Sequence, residues 1–292
     1  MSGTRPVRAL VRSERAATSL DDLVAASAGA LDVRIVDYAD EDGIRQAGEG
    51  CPVWVHLVGI LKESKRARYA DAHEGSCEVL ARAAEKASAA RIVYISILGS
   101  RPDAKNACLA SKGRAEAILM GAATPVTTLR VPLVLGPDEL AAAALRGQAT
   151  APVAFLTRGG ATLEQPIDER DLVRAIQAAA DLPADEEGGL DLAGPESLTH
   201  RALVARVAGV LGRPAPRVLP VPLLAVQGLA GLFEAISAEP PVTRAMLGVL
   251  EHDDAIDPAP SCRRLGLELT PLDETLRHVF GAPSPPPSPE PS

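Results

Sequence analysis

Along the first half of the chain, short β-branched apolar runs alternate with Ala-rich stretches whose apolar positions recur every three or four residues. That alternation predicts βαβ units feeding a parallel sheet. A strand covered on both faces reads as a continuous apolar run, and its crossover helix reads as a one-sided stripe. Strands are expected at Val7–Val11, 33–36, 53–58, 91–95 and 127–131, and helices near 16–26, 40–47, 69–87 and 112–120. From Leu140 onward the texture changes to helices, short strands and prolines, with helical patterns at 198–211 and 222–236. The expected organisation is a sheet domain over 1–138, a smaller and mainly helical second lobe over 139–280 that partly returns to the sheet, and a Pro/Ser-rich tail over 281–292. The tail has too little apolar surface to order itself.

Composition narrows the function more than the fold. A chain of 292 residues is long enough for a large α/β domain with an appended lobe. Its formal net charge of -8 and lack of a long basic block argue against a nucleic-acid surface. The partners expected are a dinucleotide and, in addition, a protein. Cys51, Cys77, Cys108 and Cys262 form no C-x-x-C pair, so neither zinc nor a disulfide framework is suggested, and a cytoplasmic location is expected. Nor do the histidines show an H-x-x-x-H spacing. No apolar window approaches the roughly 18 residues of a transmembrane helix.

Four segments occur in an order and spacing that together are informative: HLVGIL from His56, His73 with Gly75 in H-x-G, S-x-L-G from Ser96, and LEQPIDERDLVRAI from Leu163. In these the chain resembles the atypical, extended short-chain dehydrogenase/reductases, which include NAD-dependent epimerases and dehydratases. It resembles most the branch of NAD(P)H-binding accessory subunits of respiratory complex I. The resemblance runs from Val7 to Phe280. It implies an α/β fold with a doubly wound, Rossmann-like parallel sheet, and a dinucleotide in the crevice at the strand carboxyl ends.

Several residues stand where that crevice would be. Leu57, Val58 and Gly59 would run beside the cofactor, Gly59 either permitting close backbone approach or merely ending a strand. Arg12 closes the strand Val7–Val11, where the resemblance implies an acidic residue for an NAD-preferring protein and an Arg for a 2′-phosphate, so NADP(H) is the cofactor expected. Asp37 and Tyr38 close the next strand, where Asp37 either lies near the adenine or starts a helix. Ser96, Lys112, Val131 and Pro132 complete the expected contacts.

The departures from the family pattern weigh against chemistry. Its reductases use a Tyr and Lys in Y-x-x-x-K and a Ser or Thr after a strand, the Tyr moving the proton and the Lys lowering its pKa. Here Lys112 is present, Cys108 stands at the Tyr position and Ile97 at the hydroxyl position. Cys108 is either a thiol activated by Lys112 or a neutral filler. Asp168 and Asp171 have cap positions before a helix over 172–179. Three functions stay open: a non-catalytic or weakly catalytic NADP(H)-binding protein used in assembly or sensing, an NADP-dependent oxidoreductase or epimerase on a sugar nucleotide or quinone-like substrate, and a partner-binding protein without cofactor.

Such a fold also needs a central strand, a G-x-x-G-x-x-G turn and a helix whose amides hold the pyrophosphate. None is visible, since Gly29, Gly43, Gly48 and Gly50 follow no strand-to-helix junction. The sheet is therefore expected to lack its first strand and glycine-rich loop. The expected cause is a late start or a truncated copy, with about 25–30 residues, the size of such a unit, lying upstream. The chain as written is expected to be poorly stable and to bind nucleotide weakly.

Overall fold

A computed structural model describes residues 5–237, 240 and 242–281; the tail expected over 281–292 lies, apart from Gly281, outside the described residues. The chain runs β1 (Val7–Val11), α1 (Glu14–Thr18), α2 (Asp21–Ala26), β2 (Leu31–Ile35), α3 (Glu41–Gly48), β3 (Val53–His56), a π-helical turn (Ala70–Gly75) leading into α4 (Ser76–Lys86), β4 (Arg91–Ile97), α5 (Ala107–Met120) and β5 (Val126–Val131). It continues with β6 (Val134–Leu135), α6 (Leu140–Thr150), β7 (Val153–Thr157), β8 (Leu163–Glu164), β9 (Ile167–Asp168), α7 (Glu169–Ala180), β10 (Gly188–Asp191), β11 (Leu198–Thr199), α8 (His200–Val210), β12 (Arg217–Val221), α9 (Leu223–Ile236), α10 (Arg244–Leu250), α11 (Ala259–Leu265) and α12 (Leu272–Phe280).

Caps set several of these boundaries. The Asp40 carboxylate accepts from the Gly43 amide to open α3, and the Asn106 side chain accepts from the Cys108 and Leu109 amides to open α5. The stretch expected as one helix over 16–26 is two, α1 and α2, with Ser19 and Leu20 between them. The stretch expected over 198–211 opens as strand β11 before α8, and the helix start expected at 172 falls at Glu169.

Two compact units result. The first, residues 1–130, 176–191 and 230–250, holds a four-stranded parallel sheet in the order β10-β5-β4-β3 and a separate parallel pair, β1-β2. One face of the sheet is sealed by α3, α4 and α5 through a cluster of Ile44, Trp54, Cys77, Leu80, Ala83, Ala84, Ile92, Tyr94, Ala115, Leu119 and Val126. Small residues bring the layers close: a β-carbon on Gly48 would fall 2.1 Å from the Trp54 ring. On the other face Arg91, 2 % exposed, spends its guanidinium on the Thr127 hydroxyl (2.6 Å) and on the Leu182 (3.1 Å) and Pro183 carbonyls.

The second unit, 131–175, 192–229 and 251–292, has three two-stranded sheets, β6-β9, β7-β12 and β8-β11, beside a helical core of Leu135, Leu145, Leu203, Val207, Leu276 and Phe280. Asp168 accepts from the Arg170 amide (2.8 Å) at the start of α7, as a cap does. Asp171 is no cap, because its carboxylate accepts from the Thr270 amide and hydroxyl, both at 2.7 Å, and so ties α7 to a distant loop.

Candidate nucleotide site

The expected cofactor contacts of the first unit gather at the carboxyl ends of its strands, where a parallel sheet leaves its crevice. Arg12 follows β1, is exposed, and makes no ion pair among the described residues. Asp37 follows β2, and its carboxylate accepts from the Ala39 amide (3.0 Å) in a turn ahead of α3, whose cap is Asp40. Tyr38 is held differently from expectation. Its hydroxyl donates to the Leu10 carbonyl of β1 at 3.2 Å, and burial raises its pKa.

After β3, Leu57 is 68 % exposed and Gly59 is exposed as well. A β-carbon on Gly59 would stand 3.1 Å from the Lys112 Nζ and 3.5 Å from the His73 Nε2, so glycine keeps the backbone close to the ammonium. Lys112, 5 % exposed on α5, donates to the Tyr94 hydroxyl (3.0 Å) and the Ile95 carbonyl (2.9 Å). Burial brings its pKa down to about 8. Two of its three donors are thus committed to the sheet, and one remains.

Ser96 is a correction: it is buried at 1 % and donates to Glu116 Oε1 (2.5 Å), whose other oxygen accepts from Arg130 (2.6 Å). A hydroxyl so engaged beneath α5 does not face the crevice. Val131, 5 % exposed, and the half-buried Pro132 open the second unit.

Cys108 is fully buried, its thiol 3.6 Å from the Ile60 carbonyl. Burial pushes its pKa up to about 11, outweighing the lowering by the Tyr69 hydroxyl and Lys112. Around it lies a network that no spacing in the sequence announced. His73, in the π-helical turn, receives the Ile60 amide at Nε2 (3.1 Å) and lies 3.3 Å from the Ser111 hydroxyl at Nδ1, and Ser111 donates to Glu74 (2.8 Å). His56 stacks on Tyr94 and reaches the Ser76 hydroxyl at 3.2 Å. Burial lowers His56 to about 3 and His73 to about 4, so both are neutral hydrogen-bonding residues. Ser100, past the end of β4, keeps a buried hydroxyl without a hydrogen-bond partner among the described residues. No group of three or more His, Cys, Asp or Glu side chains suited to a metal occurs among the described residues.

No family model matches the chain. Among curated proteins it is similar to the mitochondrial NADH dehydrogenase [ubiquinone] 1 alpha subcomplex subunit 9 of Arabidopsis thaliana, 26 % identical over 200 residues, which is 66 % of this chain. The chain spans about half, 49 %, of that relative's length. A nucleoside-diphosphate-sugar epimerase of Staphylococcus aureus superposes with a TM-score of 0.65 at 17 % identity, over 92 % of this chain and 90 % of its own. The chain shares the Rossmann-like α/β fold of that epimerase.

Two further structures share that fold. The triphenylmethane reductase of a Citrobacter species matches with a TM-score of 0.68 at 17 % identity, over 94 % of this chain and 89 % of its own. An enzyme of Bordetella bronchiseptica solved in complex with NAD matches at 0.60 and 17 %, over 86 % of this chain and 78 % of its own. Arg12, Asp37 and Gly59 line the strand ends, whereas the turn from β1 into α1 is Arg12-Ser13, without a cluster of glycine amides for a pyrophosphate. A shallow cleft of about 500 Å³, lined by Arg8, Arg34, Gly43 and Gln46 among others, includes none of these contacts. No helix among the described residues is long and apolar enough to cross a membrane.

Proposed function

We propose that the protein binds NADP(H) along the carboxyl ends of β1 to β4 and does not catalyse, its nucleotide serving assembly with a protein partner or sensing. The observation that carries this reading is the fate of the proton-transfer groups. At the position of the family's phenol stands the buried Cys108, with a thiol pKa of about 11, and at the hydroxyl position stands Ile97. Lys112, which in a reductase would lower a tyrosine's pKa, instead holds Tyr94, whose hydroxyl is fully buried and raised in pKa by that burial. The acidic groups that act on the ammonium, Cys77, Cys108 and Glu116, are all buried.

The choice of NADP(H) rests on Arg12. An exposed guanidinium at the end of β1, without an ion pair among the described residues, is available for a 2′-phosphate, and such a charge-assisted contact contributes about 1.5–3 kcal/mol. Titration calorimetry with NADPH and NADH tests it. The expected result is roughly a 10- to 100-fold preference for NADPH that Arg12→Ala removes; equal affinities in the unaltered protein contradict the assignment.

A catalytic alternative, an NADP-dependent oxidoreductase or epimerase on a sugar nucleotide or quinone-like substrate, draws support from the retained Lys112 and the unpartnered Ser100 hydroxyl. Turnover by the unaltered protein would decide in its favour.

A further inference from the structure

Helix α9 (Leu223–Ile236) turns apolar side chains to solvent along its whole length. Leu224 is 81 % exposed, Leu229 53 %, Leu232 55 % and Ile236 71 %, while Ala230, on the side facing the protein, is 2 % exposed. Ala225 and Gly228 are exposed as well, and a β-carbon on Gly228 would meet no atom within 4 Å. Ala225, Leu229, Leu232 and Ile236 follow one another at steps of four, three and four, the spacing that keeps a seam facing a partner helix over two heptads. Single apolar side chains on a surface are ordinary, but a continuous stripe marks a contact surface.

The charge of the helix narrows what can cover the stripe. α9 holds no Lys or Arg, and its one ionisable residue, Glu234, is turned away from the stripe, where its carboxylate accepts from the Arg244 amide (2.7 Å) and Nε (2.9 Å). An anionic lipid surface is held by Lys or Arg beside the apolar stripe, and α9 offers neither. Two copies of a chain with a formal net charge of -8 repel one another, and that repulsion is least where neither surface carries a charge.

The sizes along the stripe point the same way. A two-fold contact needs a surface complementary to itself. With two α9 helices antiparallel about the middle of the seam, Ala225 faces Ile236 of the second copy and Leu229 faces Leu232 of the second copy. A small side chain then meets a large one in each outer layer, and leucine meets leucine in the two inner layers. A parallel pair would set alanine on alanine at one end and isoleucine on isoleucine at the other, and the alanine layer would leave a void. Gly228 thins the helix beside the seam, and the antiparallel order also opposes the two helix dipoles.

We propose that α9 is a self-association surface, through which two copies of this chain pair in a reversible antiparallel dimer. Its 14 residues span about 21 Å, so the contact belongs to the small interfaces, below about 1,200 Å² in total, and the dimer exchanges with monomer. The pairing is independent of whether nucleotide binds.

Sedimentation velocity on the full chain, from about 1 to 200 µM, tests it. The expected mass rises from 30.3 kDa toward twice that value across the range. Leu232→Asp buries a carboxylate in both inner layers and should weaken dimerisation at least about 10-fold without lowering the melting temperature, since the position is exposed in the monomer. Val173→Asp, at an equally exposed position on α7, should leave the association unchanged. Orientation is read by mixing the Ala225→Cys and Ile236→Cys proteins and oxidising them: the expected disulfide joins position 225 of one to position 236 of the other, identified by peptide mass. A protein that stays at 30.3 kDa throughout overturns the proposal, including one that instead sediments with phosphatidylcholine vesicles through the same leucines. So does a dimer that Leu232→Asp leaves intact, and bridges of 225 to 225 and 236 to 236 overturn the antiparallel order.

Discussion

Single residues decide what chemistry the protein can perform. Lys112 and Tyr94, brought within 3.0 Å from a helix and a strand, form the ammonium–phenol pair that reductases place at a substrate, but here it lies inside the sheet. Cys108→Tyr alone is therefore expected to leave carbonyl reduction undetectable, because Ile97 still offers no hydroxyl; NADPH oxidation followed by absorbance checks this. The buried histidines make a separate prediction. His56 and His73 titrate at about 3 and 4 in the fold and near 6.5 when unfolded, so between those values the unfolded chain binds more protons. Stability should fall as pH drops from about 6.5 toward 4, by up to roughly 1.4 kcal/mol per pH unit for each histidine. Denaturant titrations across that range test it, and a His56→Gln protein should show about half the slope. A pH-independent stability there would mean the histidines are not buried as described.

At the scale of elements, close approach is the recurring device. A β-carbon on Gly113 of α5 would fall 2.2 Å from the Arg101 backbone, which cannot swing aside, so Gly113→Ala should cost about 1–3 kcal/mol despite alanine's better helix propensity. Gly209 of α8 has open space around it, and Gly209→Ala should stabilise by about 0.5–1 kcal/mol. Chemical denaturation of the pair separates packing from propensity, and equal signs would refute the contrast. These elements were largely legible beforehand. The expected β1 coincides with the observed Val7–Val11, and the other strands of the first half differ only at their ends, because short β-branched apolar runs favour strands whatever surrounds them. The π-helical turn Ala70–Gly75 was not legible, since it depends on His73 reaching Ile60 and Ser111 across the fold rather than on local pattern. For the same reason the strand-end positions of Arg12 and Gly59 were legible, but the contacts of Tyr94 and Ser111 and the engagement of Ser96 by Glu116 were not: each depends on a partner 18 to 38 residues away in the chain.

The whole molecule combines a Rossmann-like α/β fold with buried, committed acid–base groups. If NADPH binds the folded state alone, a concentration 100-fold above its dissociation constant should add about 2.7 kcal/mol, and NADH at the same concentration less. For a domain of this class that is a rise in melting temperature of several degrees, roughly 2–4 °C per kcal/mol; identical shifts from the two nucleotides would remove Arg12 from the site. The central claim, binding without turnover, is tested most directly by recording NADPH fluorescence while the protein is added and then a panel of sugar-nucleotide, quinone and other carbonyl compounds. The account predicts a saturable change in emission on adding protein that then stays constant with every compound. Emission that decays with any of them, at a rate proportional to protein concentration, would contradict it.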